Sequence, residues 1–550
     1  MARLDRLVTA KGIAQYAAVI GRQFAYDLLC TVSQLDEATL QRELGRLVEA
    51  EIVYQRGMPP QATYIFKHAL IQDAAYQSLL KSTRQHYHQR IAQVLEVQFA
   101  ETAEAEPALR AHHYTEAGLT EQAVHYWYHA GQSAAQRSAH VEAINHLRQG
   151  LVLLQTLPET PERVQREVDL HLALGASLIA TKGYATPEVR ETYTRARQLC
   201  AHLDDPHQRS SVLSGLHGYY NVRAEYQTAH TLGEQLLTLA QQVQETAMLI
   251  AAHHAVGLTL LWLGTVAAAH THFARGIALY ASQQHRASAL LSAEDTGVTC
   301  HSFSAWTLWC LGYPDQACAR HEEAVLLAQQ MAHPFSLGFV LSMAAVFHQF
   351  RREIRATQER AAATISLAQA QGFAHWLAVG GILRGWALAQ QGQAQAGIAQ
   401  LTQGLRAFRA TGAETLRPYF LALLAEAHGT LGEPEAGLTV LTEALALVDT
   451  TGERWYEPEL YRLKGALLLQ QSSANQAEAE ACFAQAIAIA QKQQAKSFEL
   501  RTATSLPRLW EQQGKRQQAH DLLVPVYHWF TEGFDTPDLQ EARALLHALS

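Results

Sequence analysis

A turn followed by a helix rich in small residues recurs along this 550-residue chain at a nearly constant spacing. "LWLGTVAAAHTHFARGIALY" places its turn at Gly264 and a small residue twelve places on, Gly276; "WCLGYPDQACARHEEAVLLA" repeats this with Gly312 and Ala324. "AQQGQAQAGIAQLTQGLRAF" gives Gly392 and Gly404, and "GTLGEPEAGLTVLTEALALV" gives Gly432 and Ala444. Weaker copies put the turn at Ala224, Arg352, Ala474 and Gly514, so that successive intervals are 40, 48, 40, 40, 40, 42 and 40 residues. Such a period holds two helices of about four turns with two short connections. Seven places before the turn stands another small residue, Gly257, Ala305, Ala345, Gly385 or Ala425, which lets the paired backbones approach. One hairpin cannot bury its own apolar face, so the units must stack into a superhelix held by nearest-neighbour contacts. The fold class expected is all-α, an α-solenoid, with room for roughly eleven hairpins from residue 106 to 550.

Composition narrows the function. With 43 Lys and Arg against 51 Asp and Glu, the formal net charge is −8, which is no electrostatic footprint for nucleic acid. The six cysteines, Cys30, Cys200, Cys300, Cys310, Cys318 and Cys482, form no CxxC pair and fit reduced thiols in a cytosol. Charged residues break the opening "MARLDRLVTAKGIAQYAAVIGRQF" before a signal-peptide core can form, and the sequence holds no run of about 18 apolar residues that could span a bilayer. The expected location is cytoplasmic, with no membrane partner.

Residues 1–82 follow a different pattern. "LDRLVTAKGIAQYAAVIG" and "FAYDLLCTVSQL" read as short helices, and Asp36 is placed to cap a third, "EATLQRELGRLVEA". "EIVYQRG" and "ATYIFKH", separated by Gly-Met-Pro-Pro, read as a hairpin wing. Three helices, a wing and a closing helix make a winged helix, joined by a helical connector (83–105) to the repeats (106–550). In the candidate recognition helix, Glu37, Glu43 and Glu49 outnumber Arg42 and Arg46, which opposes docking on phosphates.

Chemical motifs are sparse. No GxxxxGK[ST] string occurs; the nearest, "QQGKRQQ" around Gly514, lacks the glycine spacing and the hydroxyl. His125 and His129 supply only two ligands on one helix face, "HEEAV" at His321 lacks a second histidine, and Cys300, Cys310 and Cys318 have no zinc-ligand spacing. The reading is therefore no catalytic residue, no metal and no cofactor in this chain.

A groove remains as the working surface. Counting back 13, 10, 6 and 2–3 residues from each turn traces one strip of the first helix, holding Trp262, Trp306, Trp309, Phe350, Trp386, Tyr419 and Tyr461, with His254 among them. Rigid aromatics suit a partner-binding groove for a protein, a peptide or a small effector. The competing reading is that they wedge between neighbouring hairpins.

The repeat pattern resembles tetratricopeptide (TPR) repeats, and "GYATPEVRETYTRARQLC", "GERWYEPELYRLKGALLL" and "LWEQQGKRQQAHDLLVPVYHWFTEGFDTPDLQEARALL" resemble one bacterial family. Its members join a class III adenylate cyclase domain, an AAA (STAND-type) ATPase and a TPR tail, and this chain resembles their C-terminal half without the cyclase and P-loop domains. The resemblance implies that Met1 is an internal methionine of a longer parent architecture, in which ATP or ADP with Mg²⁺ is the cofactor. It further implies that His68, in "FKHAL", senses nucleotide phosphates if an upstream NTPase domain is present; many family members carry an aspartate next, where this chain has Ala69. Without that domain, His68 caps or packs at the hairpin exit. Three functions follow: a regulatory interaction module of a signalling ATPase, a fragment of a cyclase/ATPase enzyme, or an ATPase-linked transcriptional regulator. The last lacks the usual C-terminal helix-turn-helix.

Overall fold

Each forty-residue unit turns where a residue enters the left-handed region. In the computed structural model, Ala224, Gly264, Gly312, Arg352, Gly392, Gly432 and Gly514 all have φ between 58° and 94°. The turn at Gly264 satisfies helix-end carbonyls from within: Gly264 N donates to Leu261 O and Thr265 N to Leu260 O, both at 2.9 Å. Ala474 departs from this pattern, since Ser473–Asn475 forms a 3₁₀ turn instead, started by the Ser472 hydroxyl accepting from Ala474 N. The small residues do what their positions demand. A Cβ on Gly385 would lie 2.8 Å from Leu401 N, and one on Gly404 3.0 Å from Ile382 N, so these two backbones touch.

The structure describes residues 8–99, 106–201, 203–282 and 294–550. Residues 1–7, at the head of the first expected helix, and 100–105, at the end of the expected connector, lie outside them. The chain divides into two compact units, 1–170 and 171–550.

The first unit opens with α1 (Val8–Ile20), β1 (Gln23–Ala25), α2 (Tyr26–Ser33), α3 (Glu37–Glu49), β2 (Val53–Arg56), β3 (Thr63–Phe66) and α4 (Ala69–Gln77). The strands form an antiparallel sheet in the order β1-β3-β2, with Phe24 opposite Tyr64 and Val53 opposite Phe66. The hairpin stands where the alternation placed it, whereas β1, at three residues, is too short for periodicity to reveal. Asp36 caps α3, accepting from Thr39 N at 2.9 Å. Phe24, Leu29, Leu40, Leu44, Leu47, Tyr64 and Phe66 fill the core beneath. Both cations of α3 are engaged by buried Glu43: Arg42 at 3.2 Å and Arg46 at 3.1 Å. Lys81–Gln98, Pro107–Ala117, Thr120–Gln136 and His140–Leu154 continue the unit as antiparallel helices.

The second unit is a superhelix of two layers. Second helices are amphipathic: Pro314–Met331 buries Pro314, Ala317, His321, Ala324 and Ala328, a single face at spacings of three and four. The central first helices have no solvent face. Pro334–Phe350 is buried almost continuously, and Thr296–Leu311 contains no Asp, Glu, Lys or Arg. Their hydroxyls turn back on their own carbonyls, as Ser302 does to Val298 O (2.9 Å) and Ser342 to Gly338 O (2.8 Å), so the inner layer stays apolar outwards.

What covers the inner layer is the next superhelical turn. Carbonyls at the ends of first helices accept from residues far along the chain: Val222 O from Glu414 N (2.8 Å) and Thr415 N (3.0 Å), and Trp262 O from Arg454 N (2.7 Å). Trp309 O accepts from the Ser497 hydroxyl, and Phe350 O from the Arg501 guanidinium. For the first three, the partner lies roughly five repeats further on. Glu453, 1% exposed, fastens the same seam by accepting from Tyr226 Oη (2.6 Å), Trp455 Nε1 (3.1 Å) and Leu416 N (3.1 Å).

Candidate functional site

The seam decides the fate of the expected groove. Trp306, Trp309, Phe350 and Tyr419 are 1%, 3%, 0% and 0% exposed. Trp306 stacks on Trp455 (centroids 5.9 Å), Trp309 and Phe350 pack at 5.2 Å, and Phe350 meets Tyr419 at 5.7 Å. They form an interior cluster between successive turns, so the reading of these four as free groove anchors is corrected. Trp386 is also buried, its indole N–H donating to Glu426 at 2.7 Å. Tyr461 is partly exposed and apart from the others. The physical reason is the tight superhelical turn: the inner strip meets its own chain before a partner can reach it.

Only His254 and Trp262 are brought together at an opening. Both line a cavity of about 340 Å³ within the second unit. Its walls come from the inner helices Pro206–Val222 and Thr246–Trp262, from Tyr184 and Tyr193, and from Phe303, Phe339, His375 and Trp376. Thr415 and Leu416 close it from the following turn, beside the hydrogen bonds of the seam. Tyr193 is held by glycines: a Cβ on Gly175 would lie 2.6 Å from its ring, and one on Gly215 2.1 Å. Gly218 differs, since a Cβ there would meet only Tyr184, at 3.9 Å.

Four polar atoms of the lining have no partner in the protein: Trp262 Nε1, Trp376 Nε1, His254 Nε2 and Asn221 Oδ1. Trp262, Trp376 and Asn221 are at most 4% exposed. A buried donor or acceptor left unmet costs about 1–3 kcal/mol, so such atoms mark a place for an occupant. A fifth lining atom, Glu245 Oε2, makes no hydrogen bond but is ion-paired with His207 Nδ1 at 2.9 Å; His217 Nε2 meets Thr259 Oγ1 at 3.0 Å, and Tyr184 Oη donates to Glu294 Oε2 at 2.9 Å. Burial holds the imidazoles neutral, pushing His217 down to about 3, His254 to about 4 and His375 to about 3. Burial also pushes the Glu294 carboxyl up to about 7, against the Tyr184 hydrogen bond that favours its anion.

Sequence reasoning missed Tyr184, Tyr193, Asn221, Phe303, Phe339, His375 and Trp376. Phe339 stands 13 places before the Arg352 turn, an offset already in the strip, and Trp376 sixteen before Gly392, one helical turn beyond it. Asn221 stands three before the Ala224 turn, also an offset of the strip, and was passed over because it is not aromatic; the other residues carry no repeat signal.

His68 is the N-cap of α4, exposed and without a side-chain capping bond, with Leu70 exposed beside it. Among the described residues, no group of three or more His, Cys, Asp or Glu is placed to hold a metal ion, and no helix is long and apolar enough to cross a membrane. Cys30, Cys300, Cys310, Cys318 and Cys482 are free thiols.

No protein-family model matches the chain. An uncharacterised protein of Rhizobium meliloti (strain 1021) is 25% identical over 467 residues, 84% of this chain and 45% of that protein. The chain therefore spans under half the length of this relative. Among solved structures, a Rap protein complexed with competence and sporulation factor superposes with a TM-score of 0.51 at 10% identity, covering 69% of this chain and 99% of that one. The fold is a TPR-like α-solenoid. A signal transduction ATPase with numerous domains (STAND) carrying a tetratricopeptide repeat sensor, from Pyrococcus horikoshii, gives a TM-score of 0.37 at 8% identity, over 89% of this chain and 65% of that one.

Proposed function

We propose that this chain is the sensing and interaction module of a signal-transduction ATPase, and that its effector enters the interior cavity of the TPR-like superhelix. The observation that carries this reading is the set of four unpartnered polar atoms, on His254, Trp262, Asn221 and Trp376, around one interior cavity. The Rap protein that shares the fold is itself solved with a bound factor. Because Thr415 and Leu416 contribute to both cavity and seam, occupancy would tighten the junction between turns, a route from binding to a change in the superhelix. The module would work in the cytoplasm, consistent with free thiols at Cys30, Cys300, Cys310, Cys318 and Cys482. Capture of peptides and metabolites from a cell extract by the full chain, compared with Gly218→Leu, tests it. Species retained by the unmodified chain and lost in the variant support the reading; identical retention contradicts it.

A second reading, a fragment of a multidomain cyclase/ATPase, is favoured by the relative, of which this chain matches 45%, and by His68, exposed at a helix N-terminus with no cap bond. ATP or ADP with Mg²⁺ would then be held mainly by upstream domains, with His68 reaching the phosphates. The intact mass of the native polypeptide separates the cases. A mass well above 60.8 kDa supports the longer architecture, and a mass of 60.8 kDa contradicts it.

A further inference from the structure

The lining of the cavity selects among ligand classes more sharply than the fold does. Its volume, about 340 Å³, lies at the small end of the roughly 300–1,000 Å³ range of ligand pockets, which suits a compact molecule and not a helix or a long peptide. Two of the unmet atoms, Trp262 Nε1 and Trp376 Nε1, are donors only, so the occupant must present acceptors; Asn221 Oδ1 is an acceptor and calls for one donor. Phenylalanine would fill either tryptophan position without leaving a buried N–H, so the indoles supply something packing does not need.

Charge points the same way. Among the described residues no Lys or Arg lines the cavity, and the exposed imidazole of the lining, His207, is paired with Glu245, so a phosphate or carboxylate would enter without a free counter-ion. The imidazoles His217, His254 and His375 are kept neutral by burial. The two acidic groups of the lining are engaged within the protein: Glu294 by Tyr184, and Glu245 by His207 at 2.9 Å. A cation would have to take these partners away. The remaining walls are mostly apolar or aromatic, with neutral hydroxyls from Ser210, Ser211, Ser214, Thr296, Thr299 and Thr415.

Resting on the reading of this cavity as an effector site, we propose that it binds a small uncharged molecule with an apolar body, whose carbonyl or hydroxyl oxygens accept from Trp262 and Trp376 and whose donor meets Asn221. Anionic effectors, nucleotides included, are excluded from this space.

A matched set of probes on one scaffold tests this: N-acetyl-phenylalanine amide (uncharged), N-acetyl-phenylalanine (anionic) and phenylalanine amide (cationic). The full chain is labelled with 5-fluorotryptophan, and the resonances of Trp262 and Trp376 are assigned from Trp262→Phe and Trp376→Phe. The uncharged probe should shift both resonances saturably, at least about tenfold tighter than either charged probe, because a charge buried without a partner is strongly disfavoured. Gly218→Leu, at a position with open space, should abolish the shifts while helicity is kept. It also serves if a tryptophan variant fails to fold. A charged probe binding as tightly overturns the ligand class but leaves the effector site standing. No shift with any probe, or shifts that survive Gly218→Leu, overturns both and leaves a cavity holding water only.

Discussion

Substituting glycines in two turns of the same backbone geometry should separate closure between superhelical turns from ordinary turn strain. Gly412 (φ +80°) and Gly432 (φ +83°) are both left-handed, but a Cβ on Gly412 would lie 2.3 Å from the Ala185 carbonyl oxygen, while one on Gly432 meets nothing within 4 Å. Gly432→Ala carries the left-handed penalty, about 1–2 kcal/mol, offset by about 0.4–1 kcal/mol from restricting the unfolded chain, a net loss of about 1 kcal/mol. Gly412→Ala carries the same terms and must also move the main chain of Ala185 by roughly 1 Å to restore ordinary contact, an overpacking that costs about 1–3 kcal/mol. The shift would stretch the bonds from Glu414 N and Thr415 N to Val222 O, worth about 1 kcal/mol each. Gly412→Ala should therefore be about 2–3 kcal/mol less stable than Gly432→Ala. Urea midpoints followed by circular dichroism, compared at a common slope, read this difference. Stabilities that differ by less than about 0.5 kcal/mol would show that the turns do not press on one another.

Three further outcomes follow from burial. Trp306→Ala should cost about 3–5 kcal/mol and lower helicity, because the side chain is 1% exposed; full retention of helicity would return Trp306 to an open groove. His217, His254 and His375 have folded values pressed down to about 3, 4 and 3, so the unfolded chain binds more protons below pH 6.5. The stability they contribute is present above pH 6.5 and lost as pH falls toward 3; melting at pH 7.5 and 5 should show it, and His375→Gln should flatten the slope. Glu453 runs in the opposite direction: burial raises its folded value from 4.5 to about 7, ahead of the hydrogen bonds from Tyr226 and Trp455 that lower it. Its contribution is full below pH 4.5 and fades as pH rises through 7, on the order of 3 kcal/mol. Glu453→Gln should remove that decline between pH 5 and 8, and an unchanged profile would place Glu453 outside the seam.

The repeat was legible because it is local. A left-handed turn at Gly264, Gly312, Gly392 or Gly432 depends on residues a few places away, and the paired small residues sit within one hairpin. Ala474 escaped the rule because Ser472 and the 3₁₀ turn after it replace the left-handed residue in an interval two residues longer. The site was not legible, since Val222 meets Thr415 and Trp262 meets Arg454 across nearly two hundred residues, and no periodicity records that register. One signal was present. "TGVTCHSFSAWTLWCL" and "PFSLGFVLSMAAVFHQF" have no polar face, and a helix apolar all round is enclosed all round, which argued against a groove formed by Trp306 and Phe350. His254 and Trp262 were picked from the strip for their aromatic character, but their place beside an opening follows from where the next turn stops.

The account rests on a superhelix that closes on itself and leaves one effector cavity beside the seam, and amide hydrogen exchange at Glu414, Thr415 and Arg454 tests it most directly. These three N–H groups donate to no carbonyl of their own helices; their acceptors are Val222 and Trp262 on the preceding turn. Exchange as slow as that of the buried amides of Arg417–Leu431 is the predicted result. Exchange at the rate of an open connecting loop would mean that the turns stand apart, that the inner aromatics face solvent, and that the cavity does not exist in the form described.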